Sequence, residues 1–323
     1  MKVGVVGVGS MGKNHARIYS EIAELVGVAD PREEEGKALA KRLNTDYFKD
    51  HRQLIKAGVE AVTVATPTAT HFQIAEDLIR AGVHVLVEKP LSGTVEDSER
   101  LVAIAREHKV VLAVGMVERH NPVVEFAKKA VDGGEYGRLI TAAARRVSSF
   151  PTRIKDVGVI LDLGIHDIDV MRYIVGSDVR SVFCTGGRHR HDFEDYANIL
   201  LSFESGVNGY IEVNWLTPMK VRRMALTCTK NFVELDYPSQ SIEISSSSLK
   251  EWDPFNLYQA HFEMDVRQVR LRKQEPLERE LRDFLGAVSE KREPLVTGEE
   301  AVESLRIALA AVESQRLNKR MDL

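Results

Sequence analysis

The chain has 323 residues, 44% of them hydrophobic and 28% charged, with a formal net charge of −4 at neutral pH. That length supports two domains with cores of their own, and the composition is that of a soluble globular protein. The weak acidic balance gives no reason to expect nucleic acid or an anionic membrane as a partner.

The first strand and turn carry the strongest local signal. Val3, Val5, Val6 and Val8 form a β-branched run suited to a buried parallel strand. Gly7, Gly9 and Gly12 follow in G-x-G-x-x-G spacing, with Ser10 and Met11 between them, and Lys13–Ser20 reads as the start of a helix. In such a turn the first glycine permits the bend, the second lets a pyrophosphate approach the backbone, and the third brings helix and strand together. The helix N-terminus offers free N–H groups and a partial positive charge to the phosphates. A second apolar run, Leu25–Ala29, ends in Asp30, 18 residues after Gly12. This is close to the spacing of the carboxylate that binds the adenosine ribose hydroxyls, so the pattern predicts a dinucleotide site. Asp30 favours NAD by opposing a 2′-phosphate, and Arg32 two residues on keeps NADP open.

Helix and strand signals then alternate. Helices are predicted at Glu33–Leu43, Asp50–Ala57, His71–Ala81 and Thr94–Lys109. Strands are predicted at Asp46–Phe48, Glu60–Ala65, Val83–Val87 and Val110–Val114. Strands separated by helices imply a Rossmann-type, doubly wound parallel sheet whose ligand lies beyond the carboxyl ends of the strands. Gly7–Gly12, Thr66–Thr70 and Glu88–Pro90 are the loops expected there. Lys89 follows a strand directly. By position alone it reads either as a surface lysine or as a group beside the nicotinamide and substrate.

Taken in order, Gly7–Gly12, the segment Ala65-Thr66-Pro67-Thr68, His71 and Glu88-Lys89-Pro90 resemble the glucose–fructose oxidoreductase/inositol dehydrogenase/MocA (Gfo/Idh/MocA) family of sugar dehydrogenases. The resemblance implies that Lys89 touches substrate and the nicotinamide ribose. It also implies that Thr66, Pro67, Thr68, His71 and Glu88 belong to the cofactor-binding set with Gly7, Gly9, Ser10, Met11, Gly12, Asp30 and Arg32.

Beyond Arg119 the composition shifts. A helix is predicted at Val123–Asp132 and a strand at Leu139–Val147, followed by a polar connection, Ser148–Gly158. Val159–Gly176 reads as one helix, with Asp162, His166 and Asp169 on a single face. An imidazole with carboxylates on one stripe suits proton handling. The same residues also fit an amphipathic helix whose polar face happens to carry a histidine. A zinc site lacks a third ligand of suitable spacing, since His189 and His191 sit in a separate polar turn. The D-x-G-x-H-x-x-D pattern resembles the family's substrate helix, which implies that Asp162 and His166 meet the substrate.

Strands are predicted at Val179–Gly186, Tyr196–Phe203, Val207–Trp215, Val221–Thr227 and Phe232–Tyr237, forming a largely antiparallel sheet. Ser245–Ser248 reads as the start of a polar excursion, and Tyr258–Leu271 as a polar segment able to reach substrate or a neighbour. Pro276–Lys291 and Glu299–Arg316 read as helices. Ile199, Leu201, Phe203, Ile211 and Val213 are expected on an open sheet face that needs covering. The resemblance implies that a partner subunit's sheet covers it, giving a homodimer or homotetramer. The expected fold is therefore α/β, with an N-terminal Rossmann domain over residues 1–119. An α+β domain with a large open, mostly antiparallel sheet, binding substrate and mediating oligomerisation, is expected over residues 120–323.

Cys184 and Cys228 are the only cysteines and lie outside any C-x-x-C. They predict a reducing, cytoplasmic setting with no disulfide framework and no structural zinc. No apolar run nears the length of a membrane span, and no signal peptide is expected. The predicted activity is oxidation of a sugar secondary alcohol by NAD. His166 or Lys89 acts as base, Asp162 as its partner, and no metal takes part. Glu118–Pro122 and Asp156–His166 resemble most the nucleotide-sugar branch that oxidises C3 of UDP-N-acetylglucosamine. That resemblance makes Arg119, Asn121 and Arg153 candidates for the diphosphate or sugar hydroxyls. A dehydrogenase of a free sugar or polyol, a bilin-type reductase and a non-catalytic NAD(H)-sensing module are the competing readings.

Overall fold

The computed structural model describes residues 1–151, 157–190, 192–251 and 261–323. They form two compact units: Met1–His120 with Glu275–Arg306, and Asn121–Gln274 with Ile307–Leu323.

The first unit runs β1 (Lys2–Val6), α1 (Ser10–Ile22), β2 (Glu24–Ala29), α2 (Glu33–Leu43), β3 (Asp46–Phe48), α3 (His51–Lys56) and β4 (Ala61–Val64). It continues with α4 (His71–Arg80), β5 (His84–Glu88), α5 (Val95–His108) and β6 (Leu112–Gly115). Its six strands are parallel in the order β3-β2-β1-β4-β5-β6. Inner strands such as β1 are buried on both faces, as continuous apolar runs must be when helices cover both sides. The order reverses between β1 and β4, so the loops after β1, β4 and β5 open on the crevice where a doubly wound sheet takes its ligand.

The second unit begins with α6 (Pro122–Asp132) and β7 (Leu139–Val147), followed by a π-helical turn at Ile160–Gly164 that runs into α7 (Ile165–Val175). Then come β8 (Val179–Gly187), β9 (Tyr196–Phe203), β10 (Asn208–Asn214), β11 (Val221–Cys228), β12 (Phe232–Asp236), β13 (Ser241–Glu251) and β14 (His261–Arg270). After α8 (Pro276–Glu290) and α9 (Gly298–Leu317), β15 (Met321–Asp322) completes a nine-stranded sheet. Its order is β14-β13-β12-β11-β7-β10-β9-β8-β15, antiparallel throughout except where β7 and β10 run parallel. α7 packs against one face of this sheet.

Three expectations are corrected. The division at residue 119 is not a simple cut, because Glu275–Arg306 belongs with the first unit. Leu277, Leu281 and Phe284 of α8 join the cluster formed by Val5, Ala16, Tyr19 and Leu86. The polar run at Ser245–Ser248 lies in β13, and the part of Tyr258–Leu271 from residue 261 on forms β14, a long antiparallel pair with it, because ladder hydrogen bonding does not require apolar side chains at a sheet edge; residues 258–260 lie outside the described residues. Finally, Ile199, Leu201, Phe203, Ile211 and Val213 are buried rather than open. Ile199 lies against Gly164, and Leu201 and Phe203 line the same pocket around Gly209 as Met171 of α7. The opposite face carries their neighbours of the other parity, with Tyr196, Leu200 and Tyr210 exposed. Period-two alternation fixes two faces but does not say which of them the helix covers.

Candidate active site

In the first unit the nucleotide cradle follows from the backbone. Gly7 has φ +93°, and a side chain there would drive into the Ala65 carbonyl. A Cβ on Gly12 would collide with the Gly7 carbonyl oxygen, so α1 lies as close to the turn as only glycine permits. Around Gly9 a Cβ would meet nothing within 4 Å. Gly9 also caps α1, with no side chain bonded to the cap and no acidic residue in the first turn. The first N–H groups and the positive end of the helix thus face open space, which is what a pyrophosphate needs.

Asp30 stands at the end of β2, 4% exposed. Its Oδ2 accepts the Val8 N–H at 2.8 Å, which ties the glycine turn to the second strand. Arg32 donates through its backbone N–H at 2.8 Å and through Nε and Nη2 at 3.0 Å each. Burial works against the Asp30 carboxylate, but the Arg32 and Val8 hydrogen bonds together hold it below the usual carboxylate range. Glu33, Glu34 and Glu35 form the first turn of α2, directly after Arg32. Lys37 pairs with Glu33, and Arg32 with Glu35, so the cations next to Asp30 are already compensated. A 2′-phosphate would meet this acidic turn, whereas free ribose hydroxyls would not. The cradle fits NAD.

The loop after β4 makes a 3₁₀ turn at Thr68–Thr70, closed by Thr70 Oγ1 donating to Thr66 Oγ1 and the Pro67 carbonyl, both at 2.8 Å. His71 is buried at its end. Its Nε2 lies 2.8 Å from the Thr66 carbonyl and its Nδ1 2.9 Å from the Pro90 carbonyl, so one ring joins the β4 loop to the β5 loop. Glu88 closes β5, and its Oε2 accepts the Lys89 backbone N–H at 3.3 Å. Its Oε1 accepts from His15 Nε2 at 2.8 Å, with both side chains buried.

In the second unit, Asp162 and His166 sit at the junction of the π turn and α7. The expected single helix does not begin as an α-helix. The wider turn changes the angular step, so the i, i+4 rule does not set a common face for Asp162 and His166. Asp162 and Asp169 are buried and His166 is half-buried. The start of this segment is held by Glu194, whose backbone carbonyl accepts the Val159 N–H at 2.9 Å and whose Oε1 accepts the Ile160 N–H at 3.2 Å. Next to His166, Asp167 receives a bidentate pair from Arg146 of β7, at 2.8 Å and 3.0 Å, with both residues buried. The Arg146 guanidinium lies 5.5 Å from the centroid of the Tyr237 ring. α7 is thereby fixed to the sheet beneath it.

The substrate candidates fare unevenly. Arg119 is 2% exposed, and its Nη2 donates to Glu300 Oε2 at 2.7 Å inside the first unit. Asn121 caps α6 through the Val123 N–H at 3.3 Å, and its Nδ2 donates to the Tyr237 carbonyl at 3.4 Å. Arg153 lies outside the described residues, as do Lys155, Asp156 and His191. Among the described residues no cluster of histidine, cysteine or carboxylate side chains could hold a metal ion.

Sequence reasoning missed His15, Glu194 and the Arg146–Asp167 pair. His15 carried a signal, since it follows Gly12 by three residues and shares the buried side of α1 with Ala16, Ile18 and Tyr19. Glu194 carried none, as it meets Ile160 across 34 residues of chain.

A doubly wound sheet with a glycine cradle, followed by a helix-backed mixed sheet, corresponds to two family descriptions. Residues 1–116 match the oxidoreductase family with an NAD-binding Rossmann fold, and residues 124–234 match the GFO/IDH/MocA C-terminal domain. The chain belongs to the Gfo/Idh/MocA family. As a member of it, the protein is an NAD-dependent oxidoreductase. It is 30% identical over 315 residues to a UDP-N-acetylglucosamine 3-dehydrogenase of Acidithiobacillus ferrooxidans, covering 97% of this chain and 96% of that one. It is 26% identical to a scyllo-inositol 2-dehydrogenase (NAD(+)) of Bacillus subtilis, covering 98% and 94%. The solved structure of the A. ferrooxidans enzyme matches with a TM-score of 0.87 at 29% identity, covering 97% of each chain. No helix among the described residues is long and apolar enough to cross a membrane.

Proposed function

We propose that this Gfo/Idh/MocA protein oxidises a secondary alcohol of a sugar or polyol to a ketone, with C3 of UDP-N-acetylglucosamine as its foremost substrate. The observation that carries the reading is that one chain holds two elements, one in each of its compact units. One is a glycine cradle and a β5 loop bearing Lys89; the other is a helix start bearing Asp162 and His166. The full-length similarity to a nucleotide-sugar 3-dehydrogenase, at higher identity than to the scyllo-inositol enzyme, supports the nucleotide sugar.

NAD, when bound, supplies the acceptor for the hydride that leaves the alcohol carbon. The chain's own task is the other half of the oxidation. His166 takes the hydroxyl proton. Asp162 orients that imidazole or bonds a neighbouring hydroxyl. Lys89 donates a hydrogen bond to the reacting oxygen and stabilises the negative charge developing there, with the alternative role of base open to it. Gly9 and the N-terminus of α1 take the pyrophosphate, and Asp30 takes the ribose hydroxyls once the Arg32 side chain moves aside.

The test is nicotinamide absorbance across a panel of UDP-N-acetylglucosamine, other nucleotide sugars, inositols and free hexoses. Turnover on the first supports the reading, and turnover on inositols alone replaces it with the polyol branch. NADH binding without turnover on any of them makes the protein a sensor of its dinucleotide.

A further inference from the structure

We propose that His15 and Glu88 form a buried positioning pair for Lys89, through which the helix that opens the nucleotide cradle fixes the strand end that carries the lysine. The inference rests on Lys89 being a catalytic group.

The contacts run in one line. His15 is fully buried on α1, one turn past Gly12, and its Nε2 donates to Glu88 Oε1 at 2.8 Å. Its Nδ1 is buried with no hydrogen-bond partner among the described residues, so the imidazole is spent on Glu88. The other carboxylate oxygen of Glu88 accepts the Lys89 backbone N–H at 3.3 Å. Space for this carboxylate comes from β6, where Gly115 pairs with Glu88 and a Cβ would lie 3.2 Å from Glu88 Cδ and Oε2. A buried carboxylate is costly unless fully bonded, and here each oxygen has a donor from a different element. Burial opposes the anion, but the His15 hydrogen bond and the charges of His15, Lys89 and His71 together hold Glu88 below the usual carboxylate range. A fixed negative charge therefore sits one residue from Lys89, anchored by the helix whose first turn faces the pyrophosphate site. A displacement of about 1 Å at a reacting group can cost about 100-fold in rate, so an anchor of this kind acts on turnover rather than on dinucleotide affinity.

The test uses the full chain with four variants: His15→Leu, His15→Gln, Glu88→Gln and Lys89→Met. His15→Leu is expected to lower kcat by about 10- to 100-fold while the NADH Kd stays within about twofold. His15→Gln, which returns a donor near the Nε2 position, is expected to recover most of that loss. Glu88→Gln, close to isosteric, is expected to move the pH profile of kcat to lower pH by at least about half a unit, because Lys89 loses the anion beside it. The titratable groups facing residue 88 are His15 of α1, His71 of α4 and the adjacent Lys89. A purely structural pair would lower kcat, NADH affinity and melting temperature together and leave the profile in place. That pattern overturns the proposal, as does parental kcat in His15→Leu. If His15→Leu does not fold, the profile of Glu88→Gln decides. Parental turnover in Lys89→Met would instead overturn the underlying reading of Lys89, whereas an inactive Lys89→Met beside a fully active His15→Leu refutes the pair alone.

Discussion

Asp30 offers the sharpest quantitative test of the nucleotide cradle. Its carboxylate accepts four hydrogen bonds, one from Val8 and three from Arg32. For ribose hydroxyls to bond it, the two bonds from the Arg32 guanidinium must be given up. That guanidinium is more than half exposed, so its pairing is worth about 0.5–1 kcal/mol. A hydrogen bond to a charged acceptor contributes about 1.5–3 kcal/mol. The net contribution of Asp30 to NAD binding is therefore about 1–2 kcal/mol, so Asp30→Ala should weaken NADH about 5- to 30-fold. NADPH should lose less, because the same substitution removes a charge that repels the 2′-phosphate and releases Arg32. Glu33, Glu34 and Glu35 remain, so the preference should move toward NADPH by about tenfold without fully inverting. Asp30→Asn, which keeps an acceptor for Val8, should fall between parent and alanine. Fluorescence titration of both reduced dinucleotides against the three proteins measures all of this. An NADH Kd within twofold of the parent in Asp30→Ala would refute the assignment of the ribose to this carboxylate.

Other expectations are as direct. His166→Asn should reduce kcat by about 10²- to 10⁴-fold as expected for loss of a general base, and Lys89→Met should be similarly impaired; parental turnover in either removes that residue from the chemistry. Asp167→Ala leaves the buried Arg146 without its bidentate partner and should cost about 3–5 kcal/mol in denaturant unfolding, with a loss under about 1 kcal/mol counting against the anchoring of α7. The depressed Glu88 carboxyl stabilises the fold above its unfolded pKa of about 4.3, and that contribution is lost as pH falls through the lower folded value. Glu88→Gln should therefore flatten the loss of stability below about pH 4 in acid titrations followed by circular dichroism. A second copy covering the face of Tyr196, Leu200 and Tyr210 would make Leu200→Glu shift the sedimentation coefficient toward monomer; an unchanged coefficient would place any oligomer contact elsewhere.

Most of the first unit was legible because each of its elements carries its own signal. β-branched runs, glycine turns and amphipathic stretches locate β1 to β6 and their helices to within three residues at their starts. The right-handed crossover rule then puts helices on both faces of a parallel sheet, without giving the strand order. The second unit was legible strand by strand from β7 to β12 but not in its pairing. Nothing local announces that β10 lies parallel to β7, and β13 and β14 carry serines and charges where apolar alternation was sought. At the site, the glycines declare themselves by their spacing, whereas Lys89 stands out only through the family resemblance of Glu88-Lys89-Pro90. The π turn at Asp162 does not, because one inserted residue in a helix leaves composition unchanged. His15, Glu194 and Arg146 were hidden for a common reason: each is a polar group whose purpose lies in a partner distant along the chain.

The return of α8 to the first unit has a consequence for how the protein is made. A ribosome that has finished β6 has not yet delivered Leu277, Leu281 and Phe284, which complete the wall beside Ala16 and Tyr19. Until more than a hundred further residues emerge, that nascent sheet carries an uncovered greasy seam. A gene fragment stopping after His120 would lack that wall and should unfold at lower denaturant than the full chain.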